Sequence, residues 1–145
     1  MRAVVQRVKH GSVSVDDRIV AKTGRGVVIL LGIGHGDGEG QANYLVDKIS
    51  TLRIFEDAEG KMNQSLLDIK GAALVVSQFT LYADTRKGCR PSFTDAALPE
   101  SARPLVEYFV KQLSTLGVPT QQGEFGAHML VEIDNDGPVT IVLEH

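Results

Sequence analysis

An apolar segment of the chain ends in three polar side chains whose types can do chemistry. Ser77, Gln78 and Thr80 follow the apolar run of residues 72–76. A hydroxyl can act as a nucleophile, and a side-chain amide can donate a hydrogen bond to a developing oxyanion. A hydroxyl nucleophile normally needs a general base beside it, and the nearest acid downstream, Asp84, stands four residues past Thr80. Residue chemistry alone leaves two interpretations open: a catalytic site, or polar groups that cap the end of a strand.

The stretch NDGPVT, residues 135–140, is the second segment with unusual backbone chemistry. Pro138 removes a backbone donor at the mouth of a strand, and Gly137 can adopt conformations closed to other residues. The bond between them can be cis, although only about 5–6% of bonds before proline are cis in folded proteins. On residue chemistry alone, a plain hairpin turn is the preferred interpretation.

The glycine-rich stretch GIGHGDG, residues 32–38, invites comparison with phosphate-binding loops, because glycines let backbone amides approach an anion. It has neither the Lys-Ser/Thr pair of a P-loop nor the full dinucleotide-binding fingerprint. The stretch therefore favours a strand-to-helix connection.

Composition bounds the class of protein. The 145 residues are 43% apolar and 23% charged, which is typical of one soluble globular domain with its own core, here residues 1–145. The net charge of -3 argues against a broadly basic nucleic-acid binder but leaves room for local basic patches. Two short basic clusters are present, and both can also be plain solvated surface: Arg86, Lys87 and Arg90, and Arg2, Arg7 and Lys9.

The cysteine and histidine content argues against a metal site or a disulfide. A single cysteine, Cys89, excludes an intrachain disulfide and a multi-cysteine metal site, and we expect a plain loop residue. Four histidines lack ligand spacing: His10, His35, His128 and His145. We expect no metal and no cofactor. Without a bilayer-length apolar run or an apolar leader, the sequence predicts a cytoplasmic protein with no membrane partner.

The elements that must position the polar residues are mostly strands. β-Branched runs broken by turn signals predict strands near the start, a turn at residues 16–18, and a strand VVILLGI buried on both faces. Further strands are expected at LRIF and ALVVSQFTL, and the tail is expected to form two strands joined at residues 135–137. The pattern predicts an α+β fold, a single strand-dominated domain with helices packed on a sheet.

Two helices interrupt the strands. The first is expected to begin with Asp37 as its N-cap, and Tyr44, Leu45, Lys48 and Ile49 follow at helical spacing. The second is expected from about residue 101 to 116, with Pro104 tolerable only in its first turn and Gly117 ending it. Its apolar stripe comprises Leu105, Phe109, Leu113 and Leu116.

The two unusual segments together resemble the D-aminoacyl-tRNA deacylase family. The resemblance rests on SQFTLYADTRKGCRPSF followed by NDGPVT, and it extends to MRAVVQRVKHGSVSV, GRGVVILLGIG and GEFGAHMLVEI, so that it covers essentially the whole chain. Departures are small: Cys89 stands where asparagine or methionine is expected, and His128 where aspartate is frequent.

The resemblance implies an enzyme that hydrolyses the ester between a D-amino acid and tRNA, and clears glycine mischarged on alanine tRNA. It implies a homodimer with two sites at the subunit interface, and D-aminoacyl-tRNA and glycyl-tRNA as partners. The residues implied from one subunit are Ser77, Gln78, Phe79 and Thr80. Gly137 and Pro138 would enter from the other subunit through a cis bond, and reject L-aminoacyl esters.

Further roles follow from the same resemblance. Phe125 and Met129 would hold the terminal adenosine and the ester, and Arg7 would support the Gly137–Pro138 segment. Because no general base is evident, we expect Thr80 to position water or substrate rather than act as a covalent nucleophile. Two other classes stay open: a non-catalytic dimeric binding module that uses the same pocket, and a general esterase without chiral preference.

Overall fold

The computed structural model describes all residues 1–145 and has eight strands, two α-helices and one short 3-10 helix. The elements in chain order are β1 Arg2–Val15, β2 Arg18–Thr23, β3 Gly26–Gly32, α1 Glu39–Thr51, β4 Phe55–Glu56, β5 Met62–Gln64, β6 Ala72–Ser77, the 3-10 helix Phe79–Tyr82, α2 Pro99–Thr115, β7 Thr120–Gln122 and β8 Leu130–Glu144. The fold is therefore mixed α+β and strand-dominated, as predicted. No helix has the length and apolar character needed to cross a membrane.

The main sheet has six strands and is organised around β1. Its order is β2-β1-β3-β6-β7, and β8 pairs with β1 as well. The first half of β1 pairs with β3 and its second half with β2, whereas β8 runs antiparallel to β1 along almost its whole length. β3, β6 and β7 are parallel to one another. As a result β8 occupies one edge of β1, and β2 and β3 share the other.

Both faces of the sheet are covered, which explains the continuous apolar run in β3. A core cluster of 22 buried residues contains Val27, Ile29 and Leu31 together with buried residues of α1 and α2. A second cluster of six contains Val28 and five residues from β1, β2 and β6. Successive strand residues point to opposite faces, so the prediction that β3 is buried on both faces is confirmed.

The helix ends differ from the predictions in three details. The N-cap of α1 is Gly38 rather than Asp37, because the Asp37 carboxylate binds elsewhere: it accepts from the Met1 amine at 2.7 Å and from the Gly34 N–H at 2.6 Å. α2 begins at Pro99, two residues before the predicted start. As a result Pro104 lies past the first turn, inside the helix, where it is exposed.

The C-terminal end of α2 agrees more closely with the prediction. Gly117 follows the last turn with φ of 86°, the left-handed conformation that glycine adopts without strain. Of the predicted stripe, Phe109 and Leu113 are fully buried, whereas Leu116 is a partly exposed C-cap residue.

Two predicted strands are shorter than expected. The segment LRIF contributes only its last residue, Phe55, to β4. β6 ends at Ser77, and the predicted continuation through Leu81 is wrong. The Gln78 N–H still donates to Leu31 O on β3, but Leu81 N–H then donates to Gln78 O and Ala83 N–H to Thr80 O. These local bonds turn the chain away from the sheet.

The prediction of a hairpin in the tail is also wrong. Both halves of β8 pair with β1 in the same direction, so the chain does not reverse. Asn135 pairs with Val8 and Thr140 with Gln6, so five steps along β8 match two along β1. The surplus residues 136–139 form a bulge in β8, which we call the Gly-Pro bulge.

Candidate active site

A largely apolar cavity of about 570 Å³ opens beside the end of β6. Its walls come from the end of β6 and the 3-10 helix, residues 93–99, the first turns of α2, and residues 125–131. Most of its 19 lining residues are hydrophobic. The volume lies in the range of about 300–1,000 Å³ typical of small-molecule sites. Its polar groups are therefore few, and their positions decide what it can bind.

The polar end of the cavity is formed by the predicted SQFT segment. Ser77, Gln78 and Phe79 line the cavity directly, whereas Thr80 does not and is joined to it through Gln78, whose Nε2 donates a hydrogen bond to Thr80 Oγ1. The first backbone hydrogen bond within the turn is donated by the Leu81 N–H. The N–H groups of Phe79 and Thr80 precede that residue and take no part in the bonds of the turn. Backbone amides in that position can stabilise a developing oxyanion. No carboxylate or imidazole hydrogen-bonds to the Thr80 hydroxyl.

Phe125 and Met129 line the same cavity. The Arg103 guanidinium lies 4.8 Å from the centroid of the Phe125 ring, and its Nη2 donates to Phe125 O at 3.4 Å. A Cβ at Gly123 would stand 2.7 Å from the Met129 sulfur, so a side chain at this position would require Met129 to shift. The sequence pattern had no signal for the contact with Arg103, because the two residues lie on different elements.

The Gly-Pro bulge is exposed, and a buried arginine holds its base. The Gly137–Pro138 bond is cis, and both residues are exposed. Arg7 Nε donates to Asp136 O and Nη1 donates to Ile54 O, each at 2.7 Å. The Arg7 side chain is only 6% exposed. The expected contact of Arg7 with this segment is therefore present.

One chain does not bring the Gly-Pro bulge to the cavity. Arg7 pairs with Val27, whereas Ser77 pairs with Leu31, four residues farther along β3. With about 3.3 Å per residue and ~4.8 Å between strands, the positions of Arg7 and Ser77 are about 16 Å apart across the sheet. β8 lies one strand farther away, on the other edge of β1. Within a chain the two predicted halves of the site are at opposite ends of the sheet.

The basic loop beyond the cavity contains one internally paired arginine. Arg86 donates from Nε and Nη2 to the two carboxylate oxygens of Asp84, each at 2.8 Å. These hydrogen bonds lower the pKa of Asp84 to about 2 and raise the pKa of Arg86. Lys87 and Arg90 are exposed and form no ion pair. The predicted cluster thus has two free cations and one that is already neutralised.

Histidine and cysteine are dispersed. His128 is an exposed residue at the cavity wall, and Cys89 is exposed in the loop. No group of three or more His, Cys, Asp or Glu side chains is arranged to hold a metal ion. The polar groups available at the cavity are backbone amides, the Ser77 hydroxyl, the Gln78 amide and the exposed His128 imidazole.

Comparison with known proteins identifies the family of this chain. The family model described as D-Tyr-tRNA(Tyr) deacylase matches residues 4–144. The D-aminoacyl-tRNA deacylase of Roseiflexus castenholzii is 60% identical over 99% of this chain and 92% of its own. That of Thermomicrobium roseum is 58% identical over 99% of this chain and 94% of its own. The chain belongs to the D-aminoacyl-tRNA deacylase family, a family of hydrolases that act on ester bonds.

Two solved structures share the fold. One, described as c-Myc DNA Unwinding Element Binding Protein, has a TM-score of 0.93 and 42% identity, covering 100% of this chain and 99% of its own. The other, described as a probable eukaryotic D-amino acid tRNA deacylase, has a TM-score of 0.81 over 98% of this chain and 97% of its own. At 20% identity, the second likeness supports the fold alone.

Proposed function

We propose that this protein hydrolyses the ester of D-aminoacyl-tRNA, releasing free D-amino acid and tRNA, and also clears glycine mischarged on alanine tRNA. One observation carries the proposal. The cavity has the SQFT segment at its polar end, and the exposed Gly-Pro bulge lies about 16 Å or more away in the same chain. A site that uses both segments needs a second copy of the chain. We therefore propose a homodimer with two sites at its interface.

The β8 edge favours such a dimer. β8 has 15 residues and pairs only with β1, so its other edge is unpaired. Leu130 and Val142 on this strand are 66% and 71% exposed. A long edge strand with exposed apolar side chains is prone to pair with another chain. In this proposal a second chain binds along the free edge of β8, and its Gly-Pro bulge completes the cavity of the first chain.

Backbone groups would distinguish D-aminoacyl from L-aminoacyl esters. In this proposal the carbonyls of Gly137 and Pro138 from the partner subunit accept hydrogen bonds from the α-amino group of the substrate. With that group held, an L side chain would run into the backbone, whereas a D side chain would point away. Glycine has no side chain to exclude and would pass the same filter. Rejection would thus be steric, which accounts for tolerance of many D side chains.

The chemical step needs little beyond positioning, because an aminoacyl ester is already activated. Water attacks the ester carbonyl carbon, the bond to the ribose oxygen breaks, and that oxygen leaves as a hydroxyl after taking a proton. The Phe79 and Thr80 amides would stabilise the oxyanion, and loss of one such donor typically costs about 2.7–4 kcal/mol. Thr80 would position water or substrate, since its oxygen already accepts from Gln78 and no base adjoins it.

A subunit-mixing experiment tests the shared site directly. Thr80→Val alters the cavity side, and Gly137→Val alters the bulge, where a Cβ would meet Val139 Cγ2 at 2.8 Å. Each variant alone should lose turnover of D-tyrosyl-tRNA. After unfolding and refolding together, random pairing gives one intact site in half of the dimers, and turnover should recover to about a quarter of the wild-type value. Absence of recovery, when each variant folds on its own, would contradict an interface site.

The substrate panel separates the competing functions. Matched D- and L-tyrosyl-tRNA and glycyl-tRNA are incubated with substoichiometric wild-type enzyme, and loss of the D and glycyl esters alone is expected. Turnover of both tyrosyl esters, or of simple esters without tRNA, would indicate a general esterase. Absence of any turnover would favour a binding module. Trapping of an acyl group on Thr80 by mass spectrometry would refute the non-covalent step.

We also propose that the basic loop binds acceptor-stem phosphates. Lys87 and Arg90 are exposed and unpaired, whereas Arg86 is bound to Asp84. Removing one cation that neutralises a phosphate should reduce the slope of log K against log salt by about 0.9 for duplex nucleic acid. Lys87→Gln and Arg90→Gln should flatten the slope, and Arg86→Gln, the matched control, should change it less. An unchanged slope in the first two variants would remove the loop from the interface.

A further inference from the structure

The side chain of Arg2 connects the start of β1 to the 3-10 helix that carries the Phe79 and Thr80 amides. Arg2 Nη1 donates to Leu81 O at 2.9 Å, and its guanidinium lies 4.5 Å from the centroid of the Tyr82 ring. Arg2 Nε also pairs with Glu144 at 3.0 Å. The 3-10 helix has no buried residue of its own. Its position therefore depends on contacts of this kind rather than on a core side chain.

Two glycines from the glycine-rich stretch allow the 3-10 helix to lie against the end of β3. A Cβ at Gly34 would stand 2.6 Å from the Tyr82 hydroxyl oxygen and 2.7 Å from two carbons of the Tyr82 ring. A Cβ at Gly32 would stand 3.0 Å from Gln78 O and 3.1 Å from Leu81 Cβ. These distances explain Gly32 and Gly34 without any anion, because the space that a side chain would need is filled by the turn.

Asp37 completes the contacts around the Tyr82 ring. Its Oδ2 accepts from the Gly34 N–H at 2.6 Å and from the Tyr82 hydroxyl at 3.4 Å. Burial, followed by the nearby Asp37 charge, raises the pKa of Tyr82 to about 12, so the phenol stays protonated and donates throughout the physiological range. The ring thus packs on glycine, faces a guanidinium and donates to a carboxylate.

We propose that Arg2 and Tyr82 are positioning residues that hold the 3-10 helix where the Phe79 and Thr80 amides face the ester. Neither side chain lines the cavity, and Arg2 contacts the turn to which Tyr82 belongs. They fix the positions of the Phe79 and Thr80 N–H groups. A donor that is displaced from the developing oxyanion loses most of its stabilisation of the transition state. The inference rests on the proposed deacylase function and adds two residues to its machinery.

The test compares Arg2→Ala with Glu144→Gln, which removes charge from the other partner of Arg2 and contacts nothing in the turn. With D-tyrosyl-tRNA, Arg2→Ala should lower kcat about tenfold and leave KM within about twofold, because ground-state binding in the cavity is unaffected. Arg2→Lys should be intermediate, since an ammonium can donate to Leu81 O but lacks the planar guanidinium that faces the ring. Glu144→Gln should match the wild type.

A second pair of variants addresses the ring. Tyr82→Leu removes the aromatic face and should lower kcat about tenfold, whereas Tyr82→Phe keeps the face, loses only the bond to Asp37 and should lower kcat by a smaller factor. Hydrogen exchange gives a readout that does not depend on turnover. The Leu81 and Ala83 amides, which bond to Gln78 O and Thr80 O, should exchange faster in Arg2→Ala and not in Glu144→Gln.

The outcomes separate this inference from the proposed function. Wild-type protein that hydrolyses no D ester would refute the function itself. An active wild type together with a wild-type kcat in Arg2→Ala, or with equal losses in Arg2→Ala and Glu144→Gln, would overturn the positioning role. A loss explained wholly by a smaller folded fraction, with kcat per folded molecule unchanged, would overturn it as well.

Discussion

Arg7 offers the sharpest test of how the fold supports the Gly-Pro bulge. Its side chain is buried and donates two charged hydrogen bonds of 2.7 Å, one to Ile54 O and one to Asp136 O. The first joins β1 to the segment after α1, and the second joins β1 to the bulge. Replacing Arg7 with methionine keeps most of the volume and removes every donor.

The cost follows from the two carbonyls left without a partner. A buried acceptor that loses its donor typically costs about 1–3 kcal/mol. Asp136 O is partly reached by water, which lowers its share, so we expect Arg7→Met to reduce the free energy of unfolding by about 2–4 kcal/mol. With a urea m-value of about 2 kcal/mol/M, the midpoint should fall by about 1–2 M.

The assay is urea unfolding followed by circular dichroism at several protein concentrations, because a dimer would make the midpoint depend on concentration. Lys9→Met is the matched control: it removes the same charge two residues along β1 from an exposed position and should shift the free energy by less than about 0.5 kcal/mol. A midpoint for Arg7→Met equal to that of Lys9→Met would refute the idea that Arg7 holds the bulge.

Two further predictions concern packing and charge. Gly26→Ala should fail to fold stably, because its Cβ would stand 1.9 Å from Ala72 O, whereas Gly24→Ala, with nothing within 4 Å, should match the wild-type thermal midpoint. A Gly26→Ala protein with a wild-type midpoint would contradict the close approach of β3 to β6 at this position. The Arg86 hydrogen bonds depress the pKa of Asp84 to about 2, so the stabilisation they give is present above the ordinary value near 3.8 and is lost as pH falls towards 2. A carbon-detected NMR titration should find the Asp84 midpoint near 2 in the wild type and higher in Arg86→Gln, which loses the guanidinium bonds but keeps the backbone N–H that also donates to Asp84. Equal midpoints in the two proteins would exclude the side-chain pair in solution.

The errors in the sequence-based prediction share one cause. The apolar run of β6 predicts a strand, and it is one up to Ser77. It ends there because the next residues form the local hydrogen bonds of the turn, and that turn has room only because Gly32 and Gly34, more than 40 residues away in sequence, carry no side chain. Asp37 is a good N-cap type, but it binds the Met1 amine and the Gly34 N–H instead. In each case a contact between distant residues outweighs a local preference.

The C-terminal segment gives a second example of a local preference that the tertiary structure overrides. Asn-Asp-Gly-Pro has the composition of a turn, and local chemistry therefore predicts a hairpin. A hairpin requires the two flanking segments to pair with each other, whereas both pair with β1. The partner of a strand is not encoded within the strand itself, so only the assembled sheet distinguishes a hairpin from a bulge.

The sequence by itself determined the strand-dominated α+β class, the burial of β3 on both faces, the glycine end of α2, and the SQFT and NDGPVT motifs by which the family is recognised. These depend on periodicity and on residue types, which act over a few neighbouring positions. Only the tertiary structure decided that the SQFT segment ends a cavity, that Arg7 is buried against the base of the Gly-Pro bulge, and that the two motifs stand at opposite ends of one sheet. Those facts depend on strand pairing and register, which join residues far apart in sequence.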